Sequence, residues 1–295
     1  MAPSSSKTPR GRGPTADAAT LAAHAAVLAD AGKPVKQRLA ALAALGWAIT
    51  DEPQRLAAVL KLLTDPSEPI QLRLAALAVL QSATFHPERF ERIRADYLKA
   101  LRKVSSDDDL ELRQRALGML AREHDSATQE KLIEGLREPA KALVAPEKAL
   151  QLLGYDLHSD AYPIARAIAE APPNEMARRE ALRLLAADGA SAQLFENILM
   201  DKGESCEIRQ LSASALHNLA PERLQACARQ ITMDSSEPSD IRSVGVTALT
   251  HFGDDDTMRQ DEVLNAYLKQ LGDGSEGEDP GLQTAARQYV AKRLA

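Results

Sequence analysis

The chain is poor in aromatic residues and in cysteine, and it lacks a long apolar run. One tryptophan, five tyrosines and four phenylalanines in 295 residues leave little for a base-stacking platform. Two cysteines, Cys206 and Cys227, make no disulfide framework, so a reducing, cytoplasmic setting is expected. Each falls on a helical pattern, where cysteine acts as a small buried residue. No apolar run approaches the roughly 18 residues that a bilayer span needs, so no membrane contact is expected. No stretch keeps the period-two alternation of a half-buried strand, so no sheet is expected.

Catalytic signatures are missing as well. The sequence has no G-x-S-x-G, no Walker A loop and no G-x-G-x-x-G. Histidines 24, 86, 124, 158, 217 and 251 are never followed by glutamate and never pair at i+3 or i+4. Metal ligands need such convergence, so no metal and no cofactor are expected. Asp107–Asp109 and Asp254–Asp256 suit helix starts, where acids meet the positive end of the dipole. The expectation from these absences is a chain that is not an enzyme.

Charge is modest, at −6. Residues 1–15 read as a disordered basic tail, with Lys7, Arg10 and Arg12 and no acid. Removing those three bases leaves 36 − 3 = 33 bases against 42 acids, or −9, for the rest. A net-negative body argues against a general phosphate-binding surface, so nucleic acid is not the expected partner.

What the chain has instead is a phrase repeated seven times. Its anchors are Arg38, Arg73, Arg113, Pro146, Arg178, Arg209 and Arg242, at intervals of 35, 40, 33, 32, 31 and 33 residues. Three positions after each anchor stands a small residue: Ala41, Ala76, Ala116, Ala149, Ala181, Ser212 or Gly245. Seven positions after each stands a leucine, from Leu45 through Leu249. Self-similarity at this period means stacked helical units. First helices are expected near 17–30, 53–64, 88–104, 126–137, 160–171, 190–201, 221–233 and 257–271. Second helices are expected near 34–49, 69–83, 109–123, 145–157, 174–187, 206–219, 239–252 and 281–294. Pro69 and Pro238 are expected at first helical positions. The small column lets neighbouring backbones approach, and the leucine one turn later fills the gap.

Segments such as VKQRLAALAALG at 35–46, IQLRLAALAVL at 70–80 and CEIRQLSASALHNL at 206–219 resemble HEAT repeats, of the armadillo-type solenoid class. The resemblance covers roughly residues 17–295. It implies an all-α, right-handed α-α superhelix of about eight helix pairs, spanning 16–295, with an atypical terminal repeat at 256–295. Eight residues before the anchors stand Asp30, Asp65, Ser105, Glu138, Glu170, Asp201 and Asp234. The resemblance implies that these acids pair with the arginines in a ladder between neighbouring repeats, each exposed pair adding about 0.2–1 kcal/mol. Ser105 and Pro146 depart from that ladder.

In HEAT-like arrays the second helices line a concave face. The outward positions supply a candidate stripe of Trp47, Gln81, Arg122, Tyr155, Arg179, Arg183, His217 and His251. Trp, Tyr and Arg are the types that dominate binding hot spots. The function expected is a non-catalytic protein–protein scaffold holding a partner helix or extended peptide. The alternatives are a nucleic-acid-binding groove like that of HEAT-like DNA glycosylases, or a chromophore-lyase-type HEAT-like enzyme. The resemblance does not extend to deoxyhypusine hydroxylase activity, because its His-Glu pairs are absent.

Overall fold

A computed structural model describes residues 18–156, 159–253, 255–274 and 279–294, with the side chains of Trp47, Ser159 and 255–257 left aside. The basic tail at 1–15, His158 and Asp254 lie outside the described residues. Among the described residues there are helices and no strands. The fold class read from the sequence, all-α with HEAT-like helix pairs, is the one found.

The chain divides into two compact units, up to Thr128 and from Gln129 onward. In the first unit the α-helices are α1 (Ala18–Ala29), α2 (Val35–Leu45), α3 (Pro53–Thr64), α4 (Ile70–Ser82), α5 (Pro87–Val104) and α6 (Leu110–Arg122). They form three hairpin pairs, and α2, α4 and α6 stack in sequence. The helix α7 (Ser126–Arg137) opens at the division between the units. The second unit continues with α8 (Pro146–Leu153), α9 (Tyr162–Glu170), α10 (Glu175–Leu185), α11 (Ala192–Met200) and α12 (Cys206–Leu219). It ends with α13 (Pro221–Met233), α14 (Ser239–Phe252), α15 (Asp255–Gln260), α16 (Glu262–Asp273) and α17 (Pro280–Arg293). Here α8, α10, α12 and α14 stack one on the next, and α17 packs on both α14 and α16.

Boundaries follow local chemistry. Gly46 takes φ +45° and ends α2, a backbone that side chains other than glycine resist. Asp109, Asn174, Ser205 and Asp261 cap their helices by accepting a backbone N–H three residues on. Pro69 and Pro238 sit one residue before their helices, with extended ψ, and not at first helical positions. The turn before each is built by Asp65 or Asp234, whose Oδ1 accepts from the N–H two residues later.

The core bears out the two columns. All seven column leucines are buried, and so are the column alanines and Ser212. Gly245 is the tightest case. A Cβ there would lie 2.6 Å from Thr232 Oγ1 and 2.8 Å from the Ala228 carbonyl oxygen, so α13 touches α14 backbone to backbone.

The ladder exists, but with different acids. The arginine Nε–H donates to a carbonyl at the end of its own first helix: Arg38 to Leu28, Arg73 to Leu63 and Arg209 to Leu199, at 2.9, 3.0 and 2.7 Å. The guanidinium then forks onto a carboxylate in the turn of the next repeat. Arg38 meets Glu68 through two 2.7 Å bonds, and Arg209 meets Glu237 at 2.6 and 2.9 Å. Arg73 forks likewise onto Asp107, and Arg178 meets Glu204 through one terminal nitrogen. These acids stand five or six residues before the next anchor, not eight. The expected acids Asp30, Asp65, Asp201 and Asp234 fold their own turns instead. The pairs are also not exposed: the Arg209 and Glu237 side chains keep 1% and 3% of their surface. At two anchors the pattern changes. Arg113, whose expected acid is Ser105, donates to the carbonyl of Asp107 in its own turn, and Arg242, expected to follow the pattern, lies 5.8 Å from the ring centroid of Tyr267.

Three outcomes follow from this packing. Glu237→Ala strands a buried guanidinium and should cost about 3–5 kcal/mol, read as a lower urea midpoint; a loss below 1 kcal/mol would put the pair at the surface. Gly245→Ala should overpack the α13–α14 contact by about 1–3 kcal/mol, and an unshifted Tm would contradict the contact. The Arg178 hydrogen bond holds the Glu204 carboxyl below its ordinary range, against burial and with help from the Ser205 N–H. A depressed folded-state pKa gives stability that is complete above the ordinary carboxylate value of about 4.3 and is lost as pH falls through the folded value. Urea midpoints should therefore drop below about pH 4, and Glu204→Gln should flatten that drop.

Candidate functional site

A groove runs between α12 and α14, neighbouring second helices of one unit. Its volume is 510 Å³. The floor is apolar, with buried Ala213 and Ala248 and with Leu224 reaching across from α13. Along the walls stand Gln210, Ser214, Asn218, Ser243 and Thr247. Ser243 and Thr247 donate their hydroxyl protons to carbonyls four residues back on α14, at 2.9 and 2.8 Å. The Asn218 amide donates to the Ser214 carbonyl at 3.2 Å. With those hydroxyl protons held by the helix backbone, the Ser243 and Thr247 oxygens keep acceptor capacity. The wall thus suits a ligand that brings N–H groups.

One end of the groove is aromatic. The Phe252 ring meets the His217 ring edge to face, with centroids 4.5 Å apart and planes at 82°. The His251 ring lies 6.4 Å from Phe252, with Lys292 Nζ of α17 3.4 Å from its Nδ1. His217 is exposed and lines the groove. Phe252 escaped the sequence reading because its register, ten residues after the anchor, counts as buried; it is half-buried. Leu224 escaped because only second helices were collected.

The other predicted residues fall in separate places. Tyr155 and Arg183 share a cavity of 250 Å³ between α8 and α10 with Gln151 and Glu180. Arg183 pairs with Glu180 at 2.6 Å, and Arg179 with Glu207 at 2.8 Å. In the first unit Gln81 is half-buried on α4 and Arg122 is exposed at the end of α6. Trp47 lies in the 3₁₀ turn Gly46–Thr50, and its side chain lies outside the described residues.

Several arginines on α5 and α10 are held by acids. Arg178 and Arg179 meet glutamates of the next repeat, and Arg89, Arg94 and Arg102 meet Asp51, Glu123 and Asp125. Phosphate recognition needs cations turned to solvent. Among the described residues, no group of three or more His, Cys, Asp or Glu could hold a metal ion. Among the same residues, no helix is long and apolar enough to cross a membrane.

No family model matches the sequence, and no curated protein matches it. Among solved structures the chain is similar to human deoxyhypusine hydroxylase in complex with glycerol. That match has 15% identity and a TM-score of 0.35, covering 85% of this chain and 99% of the other. It is also similar to the complex of CpcE and CpcF of phycocyanin lyase from Nostoc sp., at 17% identity and a TM-score of 0.38, covering 98% and 99%. These likenesses are likenesses of fold. They stand against two expectations drawn from missing motifs, a non-catalytic protein–protein scaffold and a chain that is not an enzyme: the two structures are of a hydroxylase and of a lyase. The physical reason is that stacking gathers a site from side chains some 30 residues apart on separate helices, which no short local motif records.

Proposed function

We propose that this chain is a lyase-type HEAT-like repeat protein. It holds an open-chain tetrapyrrole in the α12–α14 groove and presents it to an acceptor protein. The observation that supports this reading is the groove itself: an apolar floor, walls rich in acceptors and an aromatic end beside a histidine. Pyrrole N–H groups complement the acceptor oxygens, and the conjugated plane complements Phe252. Its volume lies within the range of about 300–1,000 Å³ typical of small-molecule sites.

The chemistry is an addition. An acceptor thiol adds across a ligand C=C bond: the S–H bond breaks, C–S and C–H bonds form, and no net proton is consumed. His217 takes the sulfur proton and a protonated imidazole returns one to carbon. The wall residues and Phe252 orient the ligand for that attack.

Titration of the full chain with biliverdin, followed by its absorbance spectrum, tests the reading. Saturable binding is expected, weakened about tenfold or more by Phe252→Ala, the scale of one aromatic contact with its buried area. His217→Gln should keep binding and slow transfer to a thiol peptide by about 10²-fold, the scale of general acid–base catalysis. A wild-type chain that leaves the biliverdin spectrum unchanged sinks the proposal.

A further inference from the structure

A second cavity, of 490 Å³, lies in the same unit where the arginine ladder is interrupted. Three ladder positions meet there. The anchor is Pro146 where other repeats carry arginine. The carbonyl ten residues before it, which elsewhere accepts an arginine Nε–H, belongs to Leu136. The carboxylate position five residues before the next anchor, Arg178, is Pro173. Leu136, Pro146 and Pro173 all line the cavity. Both members of the buried ion pair have thus been replaced by proline, and the space they fill elsewhere is open.

The lining is apolar throughout. Pro139 and Pro172 complete a set of four prolines, and Ile168 closes one side. The loop bearing Pro139 is held by Lys141, which pairs with Glu134 and Glu138 at 2.6 and 3.0 Å. It presses on α7 so closely that a Cβ at Gly135 would stand 2.9 Å from the Ala142 Cα. Each pyrrolidine ring fixes its own φ, so the walls are set before any ligand arrives.

We infer that this cavity is a binding site for an uncharged aromatic small molecule carrying one N–H or O–H donor. No lining side chain is charged, so a charged ligand would be desolvated without a counter-ion, at a prohibitive cost. Flat pyrrolidine faces stack on aromatic rings, the inverse of proline segments lying in aromatic grooves. The donor replaces the missing arginine Nε–H at the Leu136 carbonyl. The site shares no lining residue with the α12–α14 groove, so it stands or falls independently of the tetrapyrrole reading.

Indole and toluene are the probes, titrated into the full chain with the methyl resonances of Leu132, Leu136, Val144 and Ile168 observed. Saturable shifts are expected for both, with indole tighter by about threefold or more through one hydrogen bond. Ala171→Phe, at the exposed rim, should plug the cavity and abolish the shifts while Tm stays put. Pro173→Trp closes the same mouth independently if the first variant folds poorly. Absence of saturable shifts in the wild-type chain, equal affinity for the two probes, or shifts that persist in a folded plugged variant would overturn the assignment.

Discussion

The buried arginine fork is the constraint on which the repeats depend. One side chain ties the end of a first helix to its own second helix through Nε, and ties that second helix to the next turn through both terminal nitrogens. Removing the guanidinium from water is costly, and only a carboxylate at the correct distance and angle compensates. The fork therefore fixes register between repeats more than it adds free energy. The leucine and alanine columns supply the apolar burial, and the fork decides which leucine meets which gap.

Much of this architecture was legible in the sequence, because the columns recur at fixed offsets. The spans of α3, α7, α12, α13 and α14 agree with their expected ranges to the residue. Local signals start most of them: a proline at N1 for α3 and α13, the Ser205 cap for α12 and the Asp125 carboxylate for α7. The arginine column was read correctly and its partner was not. Aspartates eight residues before the anchors recur as regularly as Glu68, Glu204 and Glu237, and a one-dimensional pattern does not separate an acid that folds its own turn from one that reaches across to a neighbour. The broken helix at Asp261 was also hidden. It depends on Asn265, which donates to the Met258 carbonyl and accepts from Tyr289 Oη, a contact spanning 24 residues.

The candidate sites were less legible for a related reason. An outward stripe is easily drawn from offsets, but a groove needs a floor and an end wall. Leu224 comes from a first helix, and Phe252 sits at a register that the pattern counts as core. Arg179 and Arg183, attractive as hot-spot residues, are occupied by Glu207 and Glu180. The proline cavity shows the opposite case. Its signal was present in the sequence as the one non-arginine anchor, and its meaning emerged only when Leu136 and Pro173 were seen to face the same space.

The interruption at Pro146 and Pro173 has a mechanical consequence. Where Arg209 grips Glu237, pulling one repeat from the next must break a bidentate salt link inside a dry interface. Between α7–α8 and α9–α10 no such clamp resists shear; the Asn174 amide donates to Glu147 at 3.3 Å, and apolar contact supplies the rest of the seam. Under load, that seam gives more readily than the one Arg209 clamps, much as a perforation determines where a sheet tears.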